Sequence, residues 1–275
     1  MFTGPAQKMF QEIFGSGAFD SIAKVLKLNP SSELSTAWFA IETIYNNVMV
    51  PIALGLMIIW FLVKFMEKST QDQLTYEQVL MLFIKLLAAK FLIDYGLEIF
   101  TKLWSLGISL IDEVAGAFEK TDKVSFDIKD LWQKFTGEKW DAKLGFGQSL
   151  GVWAQLLLPW LASKISIACV YFICYSRVIE MLVRMAGAPI ALSDFMSEGL
   201  QGAGWRYLKN FLAICLQGII IISISKLYGI VMYDVFLTPP EGAWSVMLMQ
   251  LSISFAAIAL MFKSLTLSKE LLGTA

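Results

Sequence analysis

Histidine is absent from the 275 residues, which excludes imidazole metal sites and every nucleophilic arrangement that relies on a histidine base. Cysteine occurs three times, as Cys169, Cys174 and Cys215, each inside an apolar run and without Cys-x-x-Cys spacing. These read as small hydrophobes rather than a disulfide or a metal set. Arginine is nearly missing: Arg177, Arg184 and Arg206 are the whole complement. A net charge of −1 supplies no basic field of the kind that holds nucleic acid. Gly199, Gly202 and Gly204 lack a following Gly-Lys-Ser/Thr and a preceding strand, so they form no phosphate loop. The opening Met1–Lys8 has no basic segment leading into an apolar core, so no cleavable signal peptide is expected. No cofactor, metal or catalytic constellation emerges.

Apolar residues are present in excess. They make up 57% of the chain, the mean hydropathy is +0.63, and they gather in runs long enough to cross a bilayer. The expected fold is all-α, a multi-span helical membrane protein with about five transmembrane helices plus N-terminal amphipathic surface helices. In residues 1–36, Met9, Phe10, Ile13 and Phe14, then Phe19, Ile22, Val25 and Leu26, recur at helical spacing among charges, with Gly15 and Gly17 between the groups. Residues 37–118 hold two spans, 48–66 and 79–101, and then 99–118, which lies along the outer interface or tilts back into it. Residues 119–150 form an extracytoplasmic polar loop with six lysines, six acids and interleaved Trp132, Phe135 and Trp140. Residues 151–275 form a C-terminal membrane domain with spans at 151–175, 211–235 and 244–262, and an arginine-bearing segment at 176–210. Gly187-Ala188-Pro189 is expected to end a helix there.

Charge sets the expected orientation. Arginine crosses a bilayer poorly, so the 176–210 segment belongs in the cytoplasm. The Thr238–Gly242 loop, without Lys or Arg, then lies outside, and Lys263 and Lys269 return inside. Carried backwards, this gives an N-terminus outside and a C-terminus inside, in the cytoplasmic membrane. The six lysines of the outer loop run against the rule.

Two groups of charges are candidate sites. Lys90, Asp94, Glu98 and Lys102 recur every four residues on one helical stripe. An unpaired charge at mid-bilayer costs about 2.5–3.5 kcal/mol or more, so the stripe faces protein or water rather than lipid. It is either a polar lining or subunit interface, or two pairs along the helix that allow a marginal span to insert. Lys164 stands at mid-span, and a partner such as Asp94 is expected. Arg177, Glu180 and Arg184 form a charge ladder on one helix, with Arg206 and Lys209 beyond it; together they suit docking of a cytoplasmic ATPase or lipid headgroups, or act only as a positive-inside anchor.

The segments Arg177-Val-Ile-Glu180-Met-Leu-Val-Arg184, Ala188-Pro189-Ile-Ala-Leu-Ser193-Asp194 and Gly204-Trp205-Arg206-Tyr207-Leu208-Lys209, leading into Phe211–Gly218, resemble the TrbL-like, VirB-type polytopic membrane subunits of type IV secretion systems, especially those of conjugative elements in Gram-positive bacteria. The region carrying the resemblance covers about 150 to 265; the N-terminal half agrees in layout. The resemblance implies a non-enzymatic scaffold or channel subunit that forms a homo-oligomeric ring. Its partners would be cytoplasmic secretion ATPases and extracytoplasmic secretion-channel proteins, with single-stranded DNA and its relaxase as cargo in transit. The alternative from the residues alone is a small-solute transporter or ion channel using the intramembrane charges, against which stands the absence of an inverted repeat.

Overall fold

The computed structural model describes residues 3–14, 17–70, 75–121, 129, 132–133, 136–137, 139–140, 145–237 and 243–273. Among them every regular element is helical, and the protein is an all-α, multi-span membrane protein. Hydrocarbon offers no water to exposed amides, so a spanning backbone closes its hydrogen bonds within helices. The elements are α1 (Thr3–Phe14), α2 (Gly17–Leu26), α3 (Pro30–Glu33), α4 (Ser35–Ile44), a π-helical turn (Tyr45–Met49), α5 (Val50–Thr70), α6 (Tyr76–Thr121) and α7 (Phe146–Ser193). Then follow α8 (Phe195–Glu198), a 3-10 turn (Gly199–Gln201), α9 (Ala203–Leu237) and α10 (Ala243–Leu271).

Among the described residues, four stretches are long and apolar enough to cross a membrane: Ser35–Thr70, Phe146–Ser197, Ala203–Met232 and Leu248–Leu271. They contain or largely overlap four of the five expected spans. The fifth, 79–101, is helical but carries Lys85, Lys90, Asp94 and Glu98, too much charge to face lipid. Among the described residues, 79–101 is therefore not one of the four candidate spans. α6 is also one unbroken helix of 46 residues, about 69 Å at 1.5 Å per residue. Residues 99–118 continue its axis rather than departing as a separate interfacial helix, because no proline interrupts Tyr76–Thr121.

α7 is equally long, 48 residues, and runs through Gly187-Ala188-Pro189 where a break was expected. A proline ring removes one backbone bond and crowds the carbonyl four residues back. Here Met185, Ala188 and Leu192 are buried around the proline, and their packing keeps the helix intact, as membrane helices commonly allow. Pro51 is accommodated differently. The widened π turn Tyr45–Met49 directly precedes it, which relieves the helical ladder where the ring cannot donate.

The chain groups into two compact units, and α6, α7, α9 and α10 each contribute one portion to each. The first comprises Met1–Lys27, Ile111–Tyr175 and Ile219–Ser264. In its core, Phe10 and Ile13 of α1 meet Trp132 and Leu156. Trp132 lies edge-on to Phe10, with centroids 5.3 Å apart, and to Trp140 at 5.5 Å. Gln7 donates to the carbonyl of Trp140 at 2.6 Å, and Lys27 pairs with Asp112. The two expected N-terminal helices are thus present as α1 and α2, and two of the three expected cap aromatics gather on α1. Half of the expected 119–150 loop (122–128, 130–131, 134–135, 138 and 141–144) and the Pro-Pro loop at 238–242 lie outside the described residues.

The second unit comprises Leu28–Leu110, Ser176–Gly218 and Leu265–Ala275. Its core joins Tyr45, Ile93, Phe100, Trp104, Met181, Met185 and Phe211, with Phe100 edge-on to Phe211 at 4.6 Å. Tyr45 docks on the backbone of α6. Its hydroxyl donates to the carbonyl of Ile93 at 2.7 Å and accepts from the amide of Leu97 at 3.1 Å. These two groups lie one turn apart along the helix. Gly96 makes room for this: a Cβ there would collide with the Tyr45 hydroxyl and stand 2.9 Å from Leu192 Cδ1.

Candidate functional site

The helical elbow joining α7 to α9 gathers most of the arginine-bearing segment, all within the second unit. Its turn is held by Asp194, whose Oδ2 accepts from the amide of Ala203 at 2.6 Å and whose Oδ1 accepts from Ser197 Oγ at 2.6 Å. A carboxylate suits that place, because the first amides of α9 lack helical partners and carry the positive end of the helix dipole. Gly199 adopts φ +62°, a left-handed conformation that a glycine takes without strain. Gly204 lets the two helices meet. A Cβ at that position would lie 2.7 Å from the carbonyl oxygen of Ala191 and 2.6 Å from Phe195 Cδ2.

On this scaffold the five docking candidates separate. Arg184 is half-buried and donates twice to Glu180 Oε1, from Nε at 3.0 Å and from Nη2 at 2.8 Å. Its guanidinium stands 6.0 Å from the centre of the Tyr207 ring, and the Tyr207 hydroxyl donates to the carbonyl of Arg184 at 2.5 Å. Arg206 is exposed, and Lys209 lies over Trp205 at 5.8 Å. Arg177 does not join them. It is buried, only 2% exposed, and donates from Nε to the carbonyl of Ile214 at 2.9 Å and from Nη2 to that of Cys215 at 3.3 Å. The expected ladder is therefore a pair, Glu180–Arg184, and Arg177 is a clamp between α7 and α9 that has no docking surface to offer. Helical spacing placed it within reach of Glu180; the close approach of α9 offered a planar fork two carbonyls instead.

The α6 stripe resolves into two pairs: Lys90 with Asp94 at 2.6 Å and Lys102 with Glu98 at 2.7 Å. All four side chains are more than a third exposed. Exposed Leu87, Phe91 and Tyr95 stand among them, the two rings 4.6 Å apart. The face thus mixes neutralised charge with aromatic surface.

Lys164 finds a partner other than Asp94. Its Nζ lies 2.9 Å from Glu12 Oε2, and the same oxygen accepts from Trp160 Nε1 at 2.8 Å. Trp160 and Lys164 are one turn apart on α7, so they grip one carboxylate together and dock α1 on that helix. The hydrogen bonds from Lys164 and Trp160 hold the Glu12 carboxyl below its ordinary value. Glu12, Trp160, Asp194, Tyr45 and Tyr207 are the side chains that sequence reasoning missed. Only Asp194 carried a local signal, as an acidic residue ahead of a glycine-rich turn and a helix. Among the described residues, no group of three or more Cys, Asp or Glu side chains is placed to hold a metal ion.

A sequence model of the family described as TrbL/VirB6 plasmid conjugal transfer like protein matches residues 17–189. The match takes in α2 through most of α7, with the α6 stripe, Lys164, Arg177, Glu180 and Arg184, and ends before the turn at Asp194. It lies further toward the N-terminus than the 150–265 region that carries the resemblance, covering the charged helix α6 and sharing only 150–189 with that region. No curated protein and no solved structure matched the chain.

Proposed function

This chain belongs to the TrbL/VirB6-like plasmid conjugal transfer family, a family of type IV secretion components, and on that premise we propose that it is a non-enzymatic scaffold or channel subunit forming a homo-oligomeric ring in the cytoplasmic membrane. The family match over 17–189 carries the reading. The exposed face of α6 supports it. Lys90–Asp94 and Glu98–Lys102 are neutral as pairs but too polar for hydrocarbon, and the aromatics between them are too apolar for water, so a second protein surface suits this face best. A neighbouring copy is the proposed occupant. If α6 crosses the membrane within such surroundings, the fifth crossing is restored and the N-terminus lies outside with the C-terminus inside.

In that orientation Arg184, Arg206 and Lys209 face the cytoplasm at the elbow and serve the docking of secretion ATPases or anionic headgroups. Extracytoplasmic channel proteins meet the opposite side, and a relaxase-bound single strand is the cargo in transit. The transporter reading depended on charges at depth, and Lys90, Asp94, Glu98, Lys102 and Lys164 are each engaged in an ion pair.

The test is the mass of nanodisc-extracted protein, alone and with its native partners. The wild type is expected as a discrete homo-oligomer. Lys102→Glu, which sets two like charges one turn apart beside Glu98, should shift it toward monomer without lowering its unfolding temperature. A wild-type monomer that carries solute flux by itself would overturn the scaffold reading.

A further inference from the structure

One feature of the first unit serves neither the elbow nor the α6 stripe. A cleft of ≈ 60 Å³ is bounded by α1, α2, α7, α9 and α10. Ile13 and Ile22 close it from the surface helices, and Ile167, Val170, Ile258 and Met261 line it from the long helices. Its polar interior is small and already used: Tyr228 Oη and Ser254 Oγ lie 3.0 Å apart and share a hydrogen bond. At the rim stands Glu12, bonded to Lys164.

We infer that this cleft seats a short segment, a few methylenes, of one acyl chain of a membrane phospholipid, with its phosphate toward the Lys164 rim. The lining from α7, α9 and α10 falls within the candidate spans Phe146–Ser197, Ala203–Met232 and Leu248–Leu271, so hydrocarbon rather than water surrounds it. Water is a poor occupant, because it needs two to four polar partners and the hydroxyl pair is already satisfied internally. A void is also a poor state, since its wall atoms lose dispersion contacts that any alkyl chain restores. The asymmetry of the cleft selects an amphiphile. Its interior is branched aliphatic, while the ammonium of Lys164 has three donors and gives one to Glu12. Lys8 stands one turn before Glu12 on α1, so two cations flank one carboxylate and the rim suits a phosphate. This inference uses the membrane-spanning character of the chain and does not depend on a ring or on transport.

The experiment uses the full chain in nanodiscs of phosphatidylglycerol carrying a photoreactive diazirine on one acyl chain, with cross-linked peptides mapped by mass spectrometry. Labelling is expected on the buried cleft residues Val170 and Met261 as well as on the exposed α5 residues Ile58 and Ile59. Ala257→Trp, which fills the cleft, should abolish labelling of Val170 and Met261 and leave α5 unchanged. Undiminished labelling of these two in the variant, or none there in the wild type, would overturn the inference. Should the variant fail to fold, native mass spectrometry of the wild type decides: a retained phospholipid mass adduct supports the site, and a chain released without lipid overturns it.

Discussion

Arg177 and Glu12 place ionised side chains at helix contacts for opposite reasons. The guanidinium of Arg177 is desolvated and bonded to the carbonyls of Ile214 and Cys215, so its removal strips a charge-assisted interaction from a packed site. Arg177→Met is expected to lower stability by about 1–3 kcal/mol, read as a fall in unfolding temperature in detergent. Arg177→Lys should restore only part of it, since an ammonium lacks the planar fork. Glu12 is half-exposed, and its importance lies in its protonation. Held below its ordinary value by Lys164 and Trp160, it binds fewer protons docked than free. Its contribution is complete above the ordinary glutamate range and is lost as pH falls through the lowered value. Hydrogen exchange across 3–14 should therefore accelerate in that acidic window, and Glu12→Gln should show weaker protection that no longer changes there.

For the helices, most of what was legible in the sequence was local. The pairs Lys90–Asp94 and Glu98–Lys102 follow from four-residue spacing on one helix, and the apolar stretches follow from length and composition. The continuity of α7 through Pro189 did not, because the packing of Met185, Ala188 and Leu192 around it depends on neighbours remote in sequence. The docking of Tyr45 on α6 was illegible for the same reason; no pattern in 93–97 announces that a hydroxyl will bond to its backbone. Gly96→Ala should expel Tyr45 and cost about 1–3 kcal/mol. The expected signature is faster exchange at the Leu97 amide than at amides one turn away, and an unchanged rate at Leu97 would refute the contact.

In the molecule as a whole, the positions read as sites fall on separate bodies. Glu180, Arg184, Arg206 and Lys209 of the elbow and the stripe on α6 belong to the second unit, and Lys164 with its clasp belongs to the first. If the elbow docks a partner, charge reversal there should matter more than loss of a cation elsewhere. Arg184→Glu, placed against Glu180, is expected to reduce conjugal transfer more than Lys226→Gln. Equal, wild-type transfer by both would remove the elbow from function. The membrane class and the family were readable because hydropathy and charge placement are properties of composition along the chain. The pairing of Lys164 was not, because its partner lies on a surface helix far upstream.

That clasp also imposes an order of events on biogenesis. Glu12 is made long before Trp160, which lies 148 positions later. During synthesis α1 therefore waits for its seat until the first half of α7 has been made, and the clasp can close from then on. The 219–264 portion of the first unit follows later still, so an upstream helix is seated by a downstream one.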